Sequence, residues 1–159
     1  LLSEALYALG DQFAIYGFSG SSRRNCTVYR VKDFEEPYNQ ATQNLIIGIS
    51  PRNYTRMGVA VRHLTNKLKS REARTKLLLI VSDGQPEDKD GYRGRYAIED
   101  TRKAIIEARS SSIYPFCITI DKRGLDYLPH MFGRYHFTVI DNVRHLPSKL
   151  SELYYQMTH

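Results

Sequence analysis

Lys76-Leu-Leu-Leu-Ile-Val-Ser-Asp-Gly-Gln-Pro-Glu-Asp88 is the stretch whose reading decides the fold. Leu77 to Val81 is an unbroken apolar run with no polar alternation. A strand that buries one face alternates, whereas a strand covered on both faces does not. The run therefore predicts a strand in the middle of a parallel sheet. It stops at Ser82-Asp83-Gly84, with Pro86 close behind. Open α/β sheets place ligand groups at the carboxyl ends of such strands, which makes Asp83 a candidate site residue. Asp-Gly is also a common turn pair, and an ordinary turn accounts for the tripeptide equally well.

Working outward, Met57, Val61, Leu64 and Leu68 form one helical stripe, with Arg56, Arg62, Asn66 and Lys67 away from it. Residues 83–95 form a long polar loop, longer than most strand-to-helix connections. Tyr96 to Ser110 reads as a helix with Ile98, Ile105 and Ala108 inward. Ile113 to Ile120 is a second apolar strand, with Pro115 near its start, where no ladder donor is lost. Leu125 to Phe132 is a short helix ended by Gly133, Tyr135 to Ile140 a last strand, and Leu146, Leu150, Leu153 and Met157 mark a closing helix.

On the amino side, Leu2, Ala5, Leu6 and Leu9 recur at helical spacing up to Gly10-Asp11. Phe13 to Phe18 reads as a buried strand, and Cys26 to Lys32, with polar residues on one side, as a strand near an edge. A short helix is expected over about residues 38–47, then a loop through Pro51. Strands alternating with helices imply an α/β fold: a Rossmann-like open, mostly parallel sheet with helices on both faces.

The 159 residues suit one domain, 1–159, and the composition is that of a globular chain. The chain opens at Leu1-Leu2, without an initiator Met and in what reads as the back half of a helix. The expectation is an N-terminally truncated domain of a longer protein. No apolar run is long enough to span a bilayer as a helix. Cys26 and Cys117 have no metal or redox spacing and read as free thiols in a reducing compartment, hence a cytoplasmic expectation. The net charge of +6 is scattered and no nucleic-acid reader motif accompanies it, so nucleic acid is disfavoured; an acidic protein partner suits the charge.

Neither phosphate-binding glycine motif is present, which disfavours ATP and dinucleotides. Gly17-Phe-Ser-Gly-Ser21 approaches a nucleophile elbow without its last glycine or its following helix, so a serine hydrolase built on Ser19 is a remote alternative. Asp88-Lys-Asp90-Gly91 suggests calcium, but an EF-hand register puts Pro86 and Ala97 at ligand positions, which rejects it. A loop-built Mg²⁺ site fits better, because Mg²⁺ takes one or two carboxylates with hydroxyl support. Asp83 and Thr55, in the loop before the Met57 helix, can reach the same sheet edge. Arg93, Arg95, Tyr92 and Tyr54 flank that edge as candidate partner contacts. The tyrosines can equally be packing residues.

Specific motifs support a resemblance. Gly10-Asp-Gln-Phe-Ala-Ile-Tyr-Gly-Phe-Ser19, Lys32-Asp-Phe34, Tyr54-Thr-Arg-Met-Gly58, Ser82-Asp-Gly84, Gly94-Arg-Tyr-Ala-Ile-Glu-Asp-Thr-Arg102, Thr119-Ile-Asp121, Tyr127-Leu-Pro129 and Phe132-Gly133 resemble the von Willebrand factor A-type domain of the nitric oxide reductase activation (NorD-type) family, which is related to chelatase A-type subunits. The resemblance implies a protein-binding module, not an enzyme. It implies an AAA-type ATPase as partner and a target metalloenzyme that is remodelled or loaded with metal. It matches Thr55 and Asp83 to the second and third segments of a metal-ion-dependent adhesion site. The first segment, D-x-S-x-S, is absent, so Mg²⁺ affinity is expected to be weak. The central strand that would carry it is absent too. The Phe13–Phe18 strand must then meet the Leu77–Val81 strand, leave a gap or borrow a strand.

Overall fold

A computed structural model describes residues 2–50 and 54–158. The order of elements is α1 (Leu2–Leu9), β1 (Ile15–Gly20), β2 (Cys26–Lys32), α2 (Gln40–Ile47), α3 (Met57–Lys69), β3 (Leu77–Ser82), α4 (Gly94–Ser110), β4 (Tyr114–Thr119), α5 (Gly124–Phe132), β5 (Phe137–Val139) and α6 (Leu146–Thr158). The expected loop through Pro51 lies outside the described residues.

Strands β3, β4 and β5 form a parallel sheet in that order, with Leu79 beside Phe116 and Cys117 beside Phe137. Strands β1 and β2 form a separate antiparallel pair, with Phe18 opposite Val28. Of the three outcomes anticipated for the sheet, the gap is the one adopted: β1 and β3 are not hydrogen-bonded neighbours. Three expectations are corrected for that reason. The Leu77–Val81 strand, expected in the middle of the sheet, is its edge strand, with β4 in the middle. No residue of β1 from Ile15 to Ser19 is fully buried, and Val81, expected inside β3, is 53 % exposed. A strand is covered only where a neighbouring strand or helix lies against it.

Helices pack on both faces of the parallel sheet. On one face, Met57 and Val61 of α3, Ala104, Ile105 and Ala108 of α4, and Leu128, Met131 and Phe132 of α5 close over Leu78, Ile80 and Cys117. Phe18 of β1 packs against the same core, which ties the hairpin to the main body. On the other face, Leu150 and Leu146 of α6 meet Ile118, Leu79, Phe116 and Ile140. Side chains alternate along β4, so Cys117 enters the first core and Ile118 the second. Burial pushes the Cys117 thiol up to about 12, so it stays protonated and packs as an apolar group.

Two glycines end helices as the sequence predicts. Gly10 (φ 78°) follows α1 and Gly133 (φ 84°) follows α5, in a region that side chains with a Cβ avoid. The apolar stripe of α1 is less buried than expected, since Ala5 and Leu9 are exposed.

Candidate functional site

The carboxyl ends of the strands form one rim, and three segments meet there. Gly20, at the end of β1, exchanges backbone hydrogen bonds with Tyr54 at 2.7 and 2.9 Å. The next residue, Thr55, exchanges them with Glu87 at 2.8 and 3.0 Å. Thr55 is thereby stitched to the loop that Asp83 opens. Ser82 shapes the start of that loop, its hydroxyl donating to the Gly84 carbonyl at 2.9 Å. Asp83 is exposed, and among the described residues its carboxylate has no hydrogen-bond partner. Thr55 is half-buried, and no hydrogen bond joins its hydroxyl to Asp83.

Beneath the rim lies a polar lattice built on Arg56. Its Nε donates to the Asp88 carboxylate at 3.0 Å, its Nη2 pairs with Asp90, and its guanidinium carbon lies 4.3 Å from the Tyr92 ring centre. The side chains of Arg56 and Asp88 are 8 % and 0 % exposed. Burial works against the guanidinium charge, but the Asp88 hydrogen bond and the charges of Asp90 and Asp88 outweigh it. The Arg56 pKa ends above its ordinary value. Gly20 must be small because Asp88 stands beside it: a Cβ there would come within 2.7 Å of an Asp88 oxygen.

Tyr92 carries the lattice into the helix layer. Its hydroxyl donates to Asp100 at 2.6 Å, and the other Asp100 oxygen accepts from Arg62 at 2.9 Å. Arg62 also pairs with Glu107 at 2.9 Å, so α3 and α4 are pinned along their facing sides. Gly58 leaves the space for this: a Cβ built on it lands on the Asp100 carboxylate and 3.0 Å from the Tyr92 hydroxyl.

Tyr92 is 1 % exposed, so of the two roles anticipated for it, packing is the one its side chain fills. Burial, then the hydrogen bond to Asp100, pushes its phenol up to about 12. A phenol whose folded pKa lies above its ordinary value of 10.0 contributes stability at low pH and loses it as pH rises towards that folded value. Folding stability is therefore expected to fall between pH 10 and about 12. In Tyr92→Phe that fall should be shallower when followed by denaturation at stepped pH; an unchanged profile would remove Tyr92 from the account.

Tyr54 (36 % exposed), Arg93 and Arg95 remain at the surface. Arg95 lines a shallow cleft between α4 and α5 with Glu99, Asp126, Tyr127 and His130. Helical spacing puts Glu99 within reach of Arg95 and Arg102. Glu99 lies 3.8 Å from Arg102 and 2.5 Å from His130, a partner far away in sequence. Among the described residues no histidine is hydrogen-bonded to Ser19; His130 and His145 are engaged with Glu99 and Asp141.

Strands ending on a common rim, a threonine segment before a helix and an aspartate after the parallel strand β3 make a definite pattern. A family model for the von Willebrand factor type A domain matches residues 2–148. The chain belongs to that family. In this von Willebrand factor A domain, the resemblance drawn from its motifs also holds against individual relatives. It is 48% identical over 97% of its length to an uncharacterised protein of Pseudomonas aeruginosa, of which it covers 25%. It is 49% identical over 88% of its length to Protein NorD of Stutzerimonas stutzeri, covering 23% of that protein. Against Protein NorD of Brucella melitensis the identity is 39% over 97% of the chain and 24% of the relative. The chain thus spans about a quarter of the length of these curated relatives. No solved structure matches it.

Among the described residues no cluster of three or more His, Cys, Asp or Glu side chains is arranged to hold a metal. The donor chemistry of the rim nevertheless suits a hard cation, since Asp83 offers carboxylate oxygens and Thr55 a hydroxyl. Sequence reasoning missed the Arg56–Asp88 pair. The acids it weighed for calcium are used by an arginine 32 residues away from Asp88. A local signal for it was Gly20, a glycine at the end of a strand pattern, where Asp88 and Arg56 approach closely.

Proposed function

We propose that this domain is a protein-binding module, not an enzyme, within a cytoplasmic activation protein of NorD type. It works with an AAA-type ATPase to remodel, or insert metal into, a target metalloenzyme resembling nitric oxide reductase. The names of its relatives support the activation role. The ATPase supplies the energy. The observation that carries the reading is the Thr55–Glu87 bridge, which brings a hydroxyl-bearing segment to the loop opened by Asp83.

On this reading Asp83 and Thr55 hold Mg²⁺ with further oxygen donors, and the bound ion supplies a positive centre for a partner's carboxylate. Two protein donors leave most of an octahedral shell to water and other groups, so binding here is weak. The solitary exposure of Asp83 favours a second reading, a scaffold of the same fold that binds protein through Tyr54, Arg93 and Arg95 without metal.

Asp83→Ala in the full-length protein separates the two. Under the first reading, pull-down of the ATPase or target in Mg²⁺ falls to the level seen in EDTA. Unchanged binding in Mg²⁺ would leave the metal-independent scaffold standing.

A further inference from the structure

The turn between β1 and β2 faces the loop that precedes α4, and together they enclose an open hollow of about 500 Å³ lined by Ser22, Arg23, Arg24 and Asp90. Its frame is held by backbone hydrogen bonds. Ser21 donates to the Asn25 carbonyl and Asn25 to the Ser22 carbonyl, at 3.0 and 3.1 Å. The Arg23 amide donates to Asp90 at 2.5 Å, which joins the two loops. The second loop is anchored from below by buried Arg56 through Asp88 and Asp90. Two surface turns are thus fixed to one buried ion cluster.

The charges on this frame are unevenly spent. One Asp90 oxygen faces the Arg23 amide and the other faces Arg56. The Arg23 and Arg24 side chains are exposed, and among the described residues no carboxylate pairs with either. Lys89 lies 5.3 Å from the Tyr54 ring centre, a contact that leaves its charge uncancelled. Arg93, at the end of the same loop, is exposed and unpaired among the described residues. Asp83, Glu87 and Asp90 are the exposed acids on this loop; Asp90 is already engaged by the Arg23 amide and Arg56, and the backbone of Glu87 is tied to the Thr55 side. Elsewhere on the fold, Arg30, Arg62, Arg71 and Lys149 each have a carboxylate partner.

We propose that this hollow docks an acidic stretch of a protein partner, whose carboxylates pair with Arg23 and Arg24, with Lys89 and Arg93 at the border. The inference rests on the protein-binding reading above and names the chemistry of the partner. Unpaired guanidinium groups carried on a braced backbone suit carboxylates, because each planar fork can donate to two oxygens at once. A single nucleic-acid strand would need open aromatic faces for its bases; no ring is among the lining residues, and Tyr54 at this edge already carries Lys89 over it.

The test uses the full-length protein in EDTA, with fluorescein-labelled polyglutamate and, separately, a labelled single-stranded RNA homopolymer, followed by anisotropy at rising salt. Arg23→Glu with Arg24→Glu should weaken polyglutamate binding by on the order of tenfold or more, since both partner charges are reversed. Lys89→Glu alone should weaken it less, and serves if the double variant melts early. The control pair, Lys69→Glu at the end of α3 with Arg74→Glu in the loop before β3, lies at the opposite end of the strands and should change binding by less than about twofold. Equal weakening by both pairs would reduce the effect to net charge and overturn the proposal. So would absence of polyglutamate binding, or RNA binding that is the tighter of the two and is lost in the Arg23/Arg24 variant. Because no Mg²⁺ is present, this result is independent of the Asp83→Ala outcome.

Discussion

Asp88→Ala is expected to open the carboxyl rim at a cost of up to about 3–5 kcal/mol, because it removes the fully buried half of the guanidinium's counter-charge. The Arg56 side chain is 8 % exposed and Asp90 alone remains to balance it. The Gly20–Tyr54 and Thr55–Glu87 backbone bridges flank the arginine. Hydrogen exchange of the α3 and β1 amides in the full-length protein reads the opening locally. The companion variant, Arg56→Met with Asp88→Leu, removes both charges and should recover most of the loss. Breaking one partner of a buried pair costs far more than replacing both with apolar groups. If Asp88→Ala alone changed exchange by less than about 1 kcal/mol, the buried pair would not be what holds the rim.

Gly58→Ala should destabilise the domain by roughly 2–3 kcal/mol, against the usual direction for such a change. Alanine in place of glycine inside a helix ordinarily stabilises by about 1 kcal/mol. Here the added Cβ lands on Asp100 and displaces it from Tyr92 and Arg62. The core cannot absorb the shift, since Tyr92 is packed between Arg56 and Asp100 with its ring 5.4 Å from that of Tyr96. Adding Asp100→Ala to Gly58→Ala should restore part of the stability. A stabilised single variant would show that α3 and α4 can separate freely, and would be incompatible with the contact described here.

Much of the fold was legible in the chain. The Leu77–Val81 run identified a parallel strand, the Met57–Leu68 stripe a helix over the core, and Gly133 a helix end, because each depends on a pattern of a few adjacent residues. The Thr55 and Asp83 segments were placed at one rim by the rule that loops at the carboxyl ends of parallel strands converge. The exposure of β1 and Val81 was not legible, since coverage depends on which strands become neighbours.

Local periodicity and short motifs were enough for the order of the elements, the inward face of α3 and the family. Only the tertiary structure decided what the polar side chains do. Tyr92 was withdrawn from the surface into a buried network, Asp88 and Asp90 were assigned to Arg56, and Arg23 and Arg24 were left unpaired beside them. The reason is that a charge can be satisfied by any opposite charge the fold brings within reach. Residues 32 and 34 positions apart become partners only after strands and loops have set their distances.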